Sequence, residues 1–254
     1  MTTAAGRMSL NKSTRWRPVV IAALAGSVAT GCAVSAFVAS GVLRPTPSVL
    51  ASVGGLLGLV TLIVAVAVAR ATRAAGPQRL TLATWLTLAR GWLLILFVGV
   101  VVGDGASGIS WLAVGLFVGS ALGDMADGWV ARRTDTVSAL GARLDTETDA
   151  LLVLVGTVTV IAIESAPLVF LVVGLARYGF VAGVAVRRIR DKPLFDLEPS
   201  RFRQFTGATV MATITIGLLP VIDPAVSRAI GWVVTVPILA HFLWDWLAVS
   251  GRLD

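Results

Sequence analysis

Between Asp124 and Asp149 the chain places six acidic residues, Asp124, Asp127, Asp135, Asp145, Glu147 and Asp149, inside an otherwise very apolar sequence. An ionisable group near hydrocarbon costs several kcal/mol unless it is paired or coordinated, so this density of carboxylates implies a site. Read at helical period, Asp124, Asp127 and Ala131 share one face of a first helix. Gly141, Asp145 and Asp149 recur every fourth residue as a stripe on a second. The polar link 133–140 turns the chain between them, so two antiparallel helices can present four carboxylates to one point. Four converging carboxylates repel one another unless cations sit among them. Oxygen-only ligands suit hard ions, and two Mg²⁺ or Mn²⁺ ions sharing carboxylates would clamp a pyrophosphate. Gly128, Ala131 and Gly141 leave room for a bulky ligand, and Arg132 adds a planar donor for phosphate or a base. Asp135 falls in the link and Glu147 on the far side of its helix, so neither joins the set.

The elements that must position these residues are membrane helices. Of 254 residues, 56% are hydrophobic and only 14% charged, which fits an all-α integral membrane protein and excludes a soluble domain. The single Cys32 and single His241 argue against a disulfide framework and against Cys/His zinc chemistry. The net charge of +7 does not imply nucleic acid as a partner, because the basic residues are scattered at predicted helix ends. Apolar runs long enough to span occur over 18–43, 49–69, 80–103, 109–131, 142–163, 167–186, 205–222 and 229–250. Alternating them puts Arg7, Lys12, Arg15, Arg17, Arg70, Arg73, Arg79, Arg132, Arg133, Arg143, the arginines of 187–203 and Arg252 on one side. Arg44 and Arg228 are the exceptions. Both termini and the acidic site are thus expected in the cytoplasm. The predicted division is a basic tail (1–17), a two-helix transmembrane hairpin (18–69), a linker broken by Gly76-Pro77 (70–79) and a six-helix core (80–254). A lipoprotein-like cleavage at Cys32 is the alternative reading of the first span, but the mostly apolar residues after the cysteine favour a retained helix. Trp244 and Trp246 read as interfacial anchors, and His241 with Asp245 as a helix-packing pair.

At its acidic stretch the chain resembles the CDP-alcohol phosphotransferases, whose signature is D-x-x-D-G-x-x-A-R, eight residues, then G-x-x-x-D-x-x-x-D. Asp124, Asp127, Gly128, Ala131, Arg132, Gly141, Asp145 and Asp149 fill every fixed position. The resemblance covers the chain from about Leu80 onward and does not require the hairpin. It implies that Asp124, Asp127, Asp145 and Asp149 hold two Mg²⁺ or Mn²⁺ ions, with Asp149 also the general base. Gly128, Ala131, Arg132 and Gly141 would then surround the cytidine nucleotide. The family's N-x-x-T-x-x-R pattern matches at Thr87 and Arg90, with Thr84 where asparagine is usual, which implies nucleotide contact at Thr87 and acceptor contact at Arg90. An arginine in the sixth span and a K-x-x-T pattern correspond to Arg177 and to Arg203 with Thr206, further acceptor residues.

The implied reaction moves a phosphatidyl-type group from a CDP-linked lipid to a small polar alcohol in the cell membrane, releasing CMP. Arg177, Arg187, Arg188, Arg201 and Arg203 carry more positive charge than a neutral alcohol needs, which favours a phosphorylated acceptor such as glycerol 3-phosphate or an inositol phosphate. A non-phosphorylated acceptor or a soluble CDP-alcohol donor is the alternative, and a homodimer is an admissible assembly. A divalent-cation transporter would need a polar path to the far side, which the outer halves of these helices lack. A non-catalytic lipid-binding protein would not need four aspartates.

Overall fold

An α-helix forms at each of the eight apolar stretches: α1 (Lys12–Ala39), α2 (Pro47–Ala75), α3 (Leu82–Asp104), α4 (Trp111–Arg133), α5 (Ala139–Ala162), α6 (Leu171–Ile189), α7 (Arg201–Leu218) and α8 (Pro224–Val249). A 3₁₀ turn, Leu168–Phe170, leads into α6, and no strand occurs among the described residues. The computed structural model describes residues 12–75, 80–104, 110–133, 138–191, 193, 195 and 201–250. Within them the side chains of 12–16, 75, 104, 124–132, 139 and 201–204 lie outside the description.

Among the described residues, five segments are long and apolar enough to cross a bilayer: Arg17–Ala39, Pro47–Ala74, Leu82–Gly103, Leu168–Ile189 and Pro224–Val249. The protein is a multi-pass membrane protein. The sequence predicts eight spans, and the three helices outside this set are α4, α5 and α7. Among the described residues the apolar parts of α4 and α7 are Trp111–Gly123 and Phe205–Leu218, while α5 opens with Arg143, Asp145, Glu147 and Asp149. The expected linker also begins late, because α2 continues to Ala75 and takes Arg70 and Arg73 into its last turns.

The chain divides into two compact units, Met1–Gly99 with Leu122–Thr148, and Val100–Ala121 with Asp149–Asp254. In the first, α2 buries a stripe, Val53, Val60, Val64, Ala67, Val68 and Ala71, whose spacing of three, four and seven is that of a helix–helix seam. A methyl added at Gly99 of α3 would lie 2.9 Å from Val53 Cγ2, and one at Gly91 3.6 Å from Val60 Cγ1, so α2 and α3 pack antiparallel. α1 reaches α3 as well, since a methyl at Gly26 would lie 2.5 Å from Trp92 Nε1. The hairpin therefore forms a wall for α3. Pro47 starts α2 with Thr46 as its cap, the Thr46 Oγ1 accepting the Val49 N–H at 3.3 Å.

The second unit packs large side chains onto small ones, as membrane helices do without a hydrophobic driving force between them. Methyl groups added at Gly156, Gly174 and Gly217 would strike Phe117 and Ile214 (2.7 Å each), Thr157 (3.1 Å) and Val160 (2.9 Å). Trp246 is half-buried, stacks edge-on against Phe180 at 6.0 Å and lies over Gly183. Trp244 is exposed, as an anchor would be. His241 Nε2 and Asp245 Oδ2, 3.6 Å apart on α8, form the expected pair. Arg228, an exception to the charge pattern, has a local use. Its Nε and Nη2 both donate to the Glu164 carbonyl, at 3.0 and 2.6 Å, closing the turn after α5.

Candidate active site

The start of α5 is fixed by Ser138, whose Oγ accepts the Gly141 N–H at 2.9 Å. This cap sets where α5 begins, and with it the register of Gly141, Asp145 and Asp149, each one turn beyond the last. α3 is capped in the same way by Thr81, whose Oγ1 accepts the Thr84 N–H at 3.3 Å and lies 2.9 Å from Thr84 Oγ1. The two capped ends meet. A methyl at Gly141 would lie 3.1 Å from Ser138 Oγ and 3.7 Å from Thr84 Oγ1, so Thr84, fully buried, borders the motif glycine. Thr87, also buried, spends its hydroxyl hydrogen on the Ala83 carbonyl at 3.1 Å.

Arg90 joins the same group. It is 2% exposed, and its Nη1 donates to Asp145 Oδ1 at 2.8 Å. Asp145 keeps 37% of its side chain exposed. The sequence assigns Arg90 to the acceptor, and the structure brings it to a motif aspartate 55 residues away. Its stem crosses Gly123 of α4, where a methyl would fall 2.6 Å from Arg90 Cγ and 2.8 Å from Cδ. Gly123 thus lets α3 and α4 approach closely enough for the guanidinium to reach α5.

Asp124, Asp127, Gly128, Ala131 and Arg132 lie on the last turns of α4, and Arg203 on the first turn of α7; the side chains of all six are outside the described residues. Asp149 is half-buried, one turn past Asp145, and Arg177 is half-buried within α6. Thr206 on α7 is half-buried and Arg188 exposed. Arg187 Nη2 donates to the carbonyls of Pro193 and Ser250, at 2.8 and 3.2 Å, and ties the chain after α6 to the end of α8.

Among the described residues no three His, Cys, Asp or Glu side chains gather. The donor chemistry of the motif nonetheless fits hard divalent ions. It offers carboxylate oxygen throughout, and Asp145 engages Arg90 through Oδ1 while more than a third of its side chain stays accessible. Gly123, Ser138 and Thr81 are contributors that sequence reasoning missed. The two caps carry the usual signal, a hydroxyl residue three before a helical N–H. Gly123 has no signal beyond being a glycine beside a motif aspartate.

Residues 80–243 match the family model described as CDP-alcohol phosphatidyltransferase. The chain belongs to this family. No match was found among curated proteins. As a CDP-alcohol phosphatidyltransferase family member the protein is a transferase of phospholipid synthesis, and the family transfers a phosphatidyl group from a CDP-alcohol. The match opens where the sequence places the start of the core, runs from α3 into α8 and includes all eight motif positions. The hairpin lies outside it although α1 and α2 pack on α3.

Proposed function

We propose that the protein transfers a phosphatidyl-type group from CDP-diacylglycerol or a similar CDP-linked lipid to the hydroxyl of a small phosphorylated alcohol, such as glycerol 3-phosphate or an inositol phosphate. The observation that carries this reading is the complete motif on α4 and α5, with α5 held in register by Ser138. Asp124, Asp127, Asp145 and Asp149 hold two ions, Mg²⁺ or Mn²⁺, in this account. When bound, these ions neutralise the pyrophosphate and stabilise the departing CMP. Asp149 accepts the proton of the attacking hydroxyl as its oxygen bonds to the lipid-side phosphorus. The bond from that phosphorus to the bridging oxygen breaks, and CMP leaves with the bridging oxygen. Gly128, Ala131 and Gly141 make room for the cytidine nucleotide, while Arg132 and Thr87 supply polar contacts.

Arg177 and Arg203 receive the acceptor's phosphate. Support for a phosphorylated acceptor comes from Arg177, which lies within an apolar helix where the cytoplasmic bias of surface arginines does not account for it. Arg188 and Arg201 sit where that bias operates. In the cell membrane, both termini and the motif face the cytoplasm. Cysteines replacing Glu164 and Arg190, in a Cys32→Ser background, are expected to react with an impermeant reagent from the outside and the cytoplasmic side respectively. Labelling of both from one face contradicts this orientation.

Purified protein, divalent ion and CDP-diacylglycerol, offered each alcohol in turn, are expected to release CMP with a phosphorylated alcohol. Turnover with serine or free inositol and with no phosphorylated alcohol would overturn the acceptor. Failure with every acceptor would redirect attention to the donor, toward an ether-linked CDP-lipid or a soluble CDP-alcohol.

A further inference from the structure

We infer that Arg90 is a positioning residue: it acts through Asp145, holding one oxygen of that carboxylate so that the other faces a cation, and Gly123 is the residue that lets it do so. This deepens the proposed function and rests on it. Arg90 is the ninth residue of α3 and Asp145 the seventh of α5, so each lies about 10 Å inside its helix. At that depth a guanidinium that is 2% exposed demands an anion, and Asp145 Oδ1 supplies one at 2.8 Å. A carboxylate on the exposed side of a helix would otherwise sample several rotamers, and a fixed donor on one oxygen removes that freedom. Partners that orient metal-binding carboxylates in this way typically contribute about 10- to 100-fold in metal affinity or activity.

The approach depends on Gly123. A Cβ there would lie 2.6 and 2.8 Å from Cγ and Cδ of Arg90, the middle of the side chain and not its adaptable end. Even alanine must displace the stem and swing the guanidinium away from Asp145. On the other flank the hairpin packs against α3, with Val53 Cγ2 2.9 Å from where a methyl at Gly99 would lie and Val60 beside Gly91.

The test uses the full chain in detergent, with Mn²⁺ titrated alone and bound ion read by electron paramagnetic resonance, beside turnover and thermal unfolding. Arg90→Gln is expected to weaken Mn²⁺ binding about 10- to 100-fold, with the acceptor KM unchanged once Mn²⁺ is saturating. Arg90→Lys, which keeps the charge and loses the planar fork, should recover part of this loss. Gly123→Ala should weaken Mn²⁺ binding in the wild-type background and add nothing in Arg90→Ala, which lacks both the guanidinium and the stem that a methyl at 123 would strike. Unchanged or tighter Mn²⁺ binding in Arg90→Gln, with a raised acceptor KM, would show an acceptor contact and overturn the inference. Additive losses from Gly123→Ala and Arg90→Ala would overturn the part assigned to Gly123. Should Arg90→Gln unfold, the comparison of Arg90→Lys with wild type still decides. Absence of Mn²⁺ binding and of CMP release in the wild type would instead remove the proposed function beneath it.

Discussion

α3 and α6 are both apolar membrane helices with one arginine set inside them, yet they are held differently. Half of the α3 membrane segment is buried, against 17% of that of α6. α3 is closed by Val53 and Val60 of the hairpin on one flank and crosses Gly123 on another, so Arg90 meets Asp145 at a fixed 2.8 Å. α6 leaves Leu175, Val181, Val186 and Ile189 exposed, and Arg177 sits half-buried on a helix with few walls. The difference teaches a division of labour. In the proposed reaction the residue that orients an ion ligand tolerates little displacement, which suits a helix packed on several sides, whereas the residue that meets the acceptor can sit on a helix with room to adjust.

The largest effect on that division is expected at the base. Asp149→Asn should lower kcat by about 10²- to 10⁴-fold with every acceptor while CDP-lipid binding survives, because a proton acceptor is lost and most of the ion ligands remain. Wild-type turnover in this variant would contradict the assigned base. Next comes the acceptor side: Arg177→Ala should raise the KM for a phosphorylated alcohol by roughly 10- to 100-fold, the worth of a charge-assisted hydrogen bond, with the CDP-lipid KM unchanged. A KM change for both substrates would erase the contrast between the two helices.

A smaller and purely structural pair compares the helices directly. Gly99→Ala places a methyl 2.9 Å from Val53 Cγ2 and should cost about 1 kcal/mol or more by overpacking the α2–α3 seam. Gly179→Ala on α6 meets nothing within 4 Å and should be neutral or stabilising by up to about 1 kcal/mol, as alanine is the better helix former. Thermal unfolding of the two variants checks the sign, and equal destabilisation would show that α3 is no more constrained than α6. Arg228→Ala should have the least effect. The residue is 44% exposed, so losing its bonds to the Glu164 carbonyl should cost below about 1 kcal/mol and leave turnover unchanged.

The sequence reveals what depends on local spacing. Eight motif positions at fixed intervals name the family, and each apolar run overlaps one of the eight helices, with ends that differ by up to six residues. What depends on the partner across a helix interface is not legible. Arg90 and Asp145 are 55 residues apart, and nothing near Arg90 tells a lipid-facing arginine from one spent on a carboxylate. Gly123 resembles any other glycine of the chain until the stem of Arg90 is seen above it. Trp246 reads as an interfacial anchor because tryptophan commonly is one, and its packing over Gly183 of α6 is seen only in the structure. Arg187 carries the same charge as its neighbours, yet two carbonyls hold it in place. The hairpin has no motif to announce a use, but its valines meet the glycines of α3.

The central claim is that the motif carboxylates work through divalent ions, and it is tested most directly by CMP release from CDP-diacylglycerol and a responsive acceptor in the presence of a chelator. EDTA should abolish release, Mg²⁺ or Mn²⁺ should restore it in the wild type, and neither ion should restore it in Asp124→Asn or Asp127→Asn. CMP release at the full rate in EDTA would contradict it.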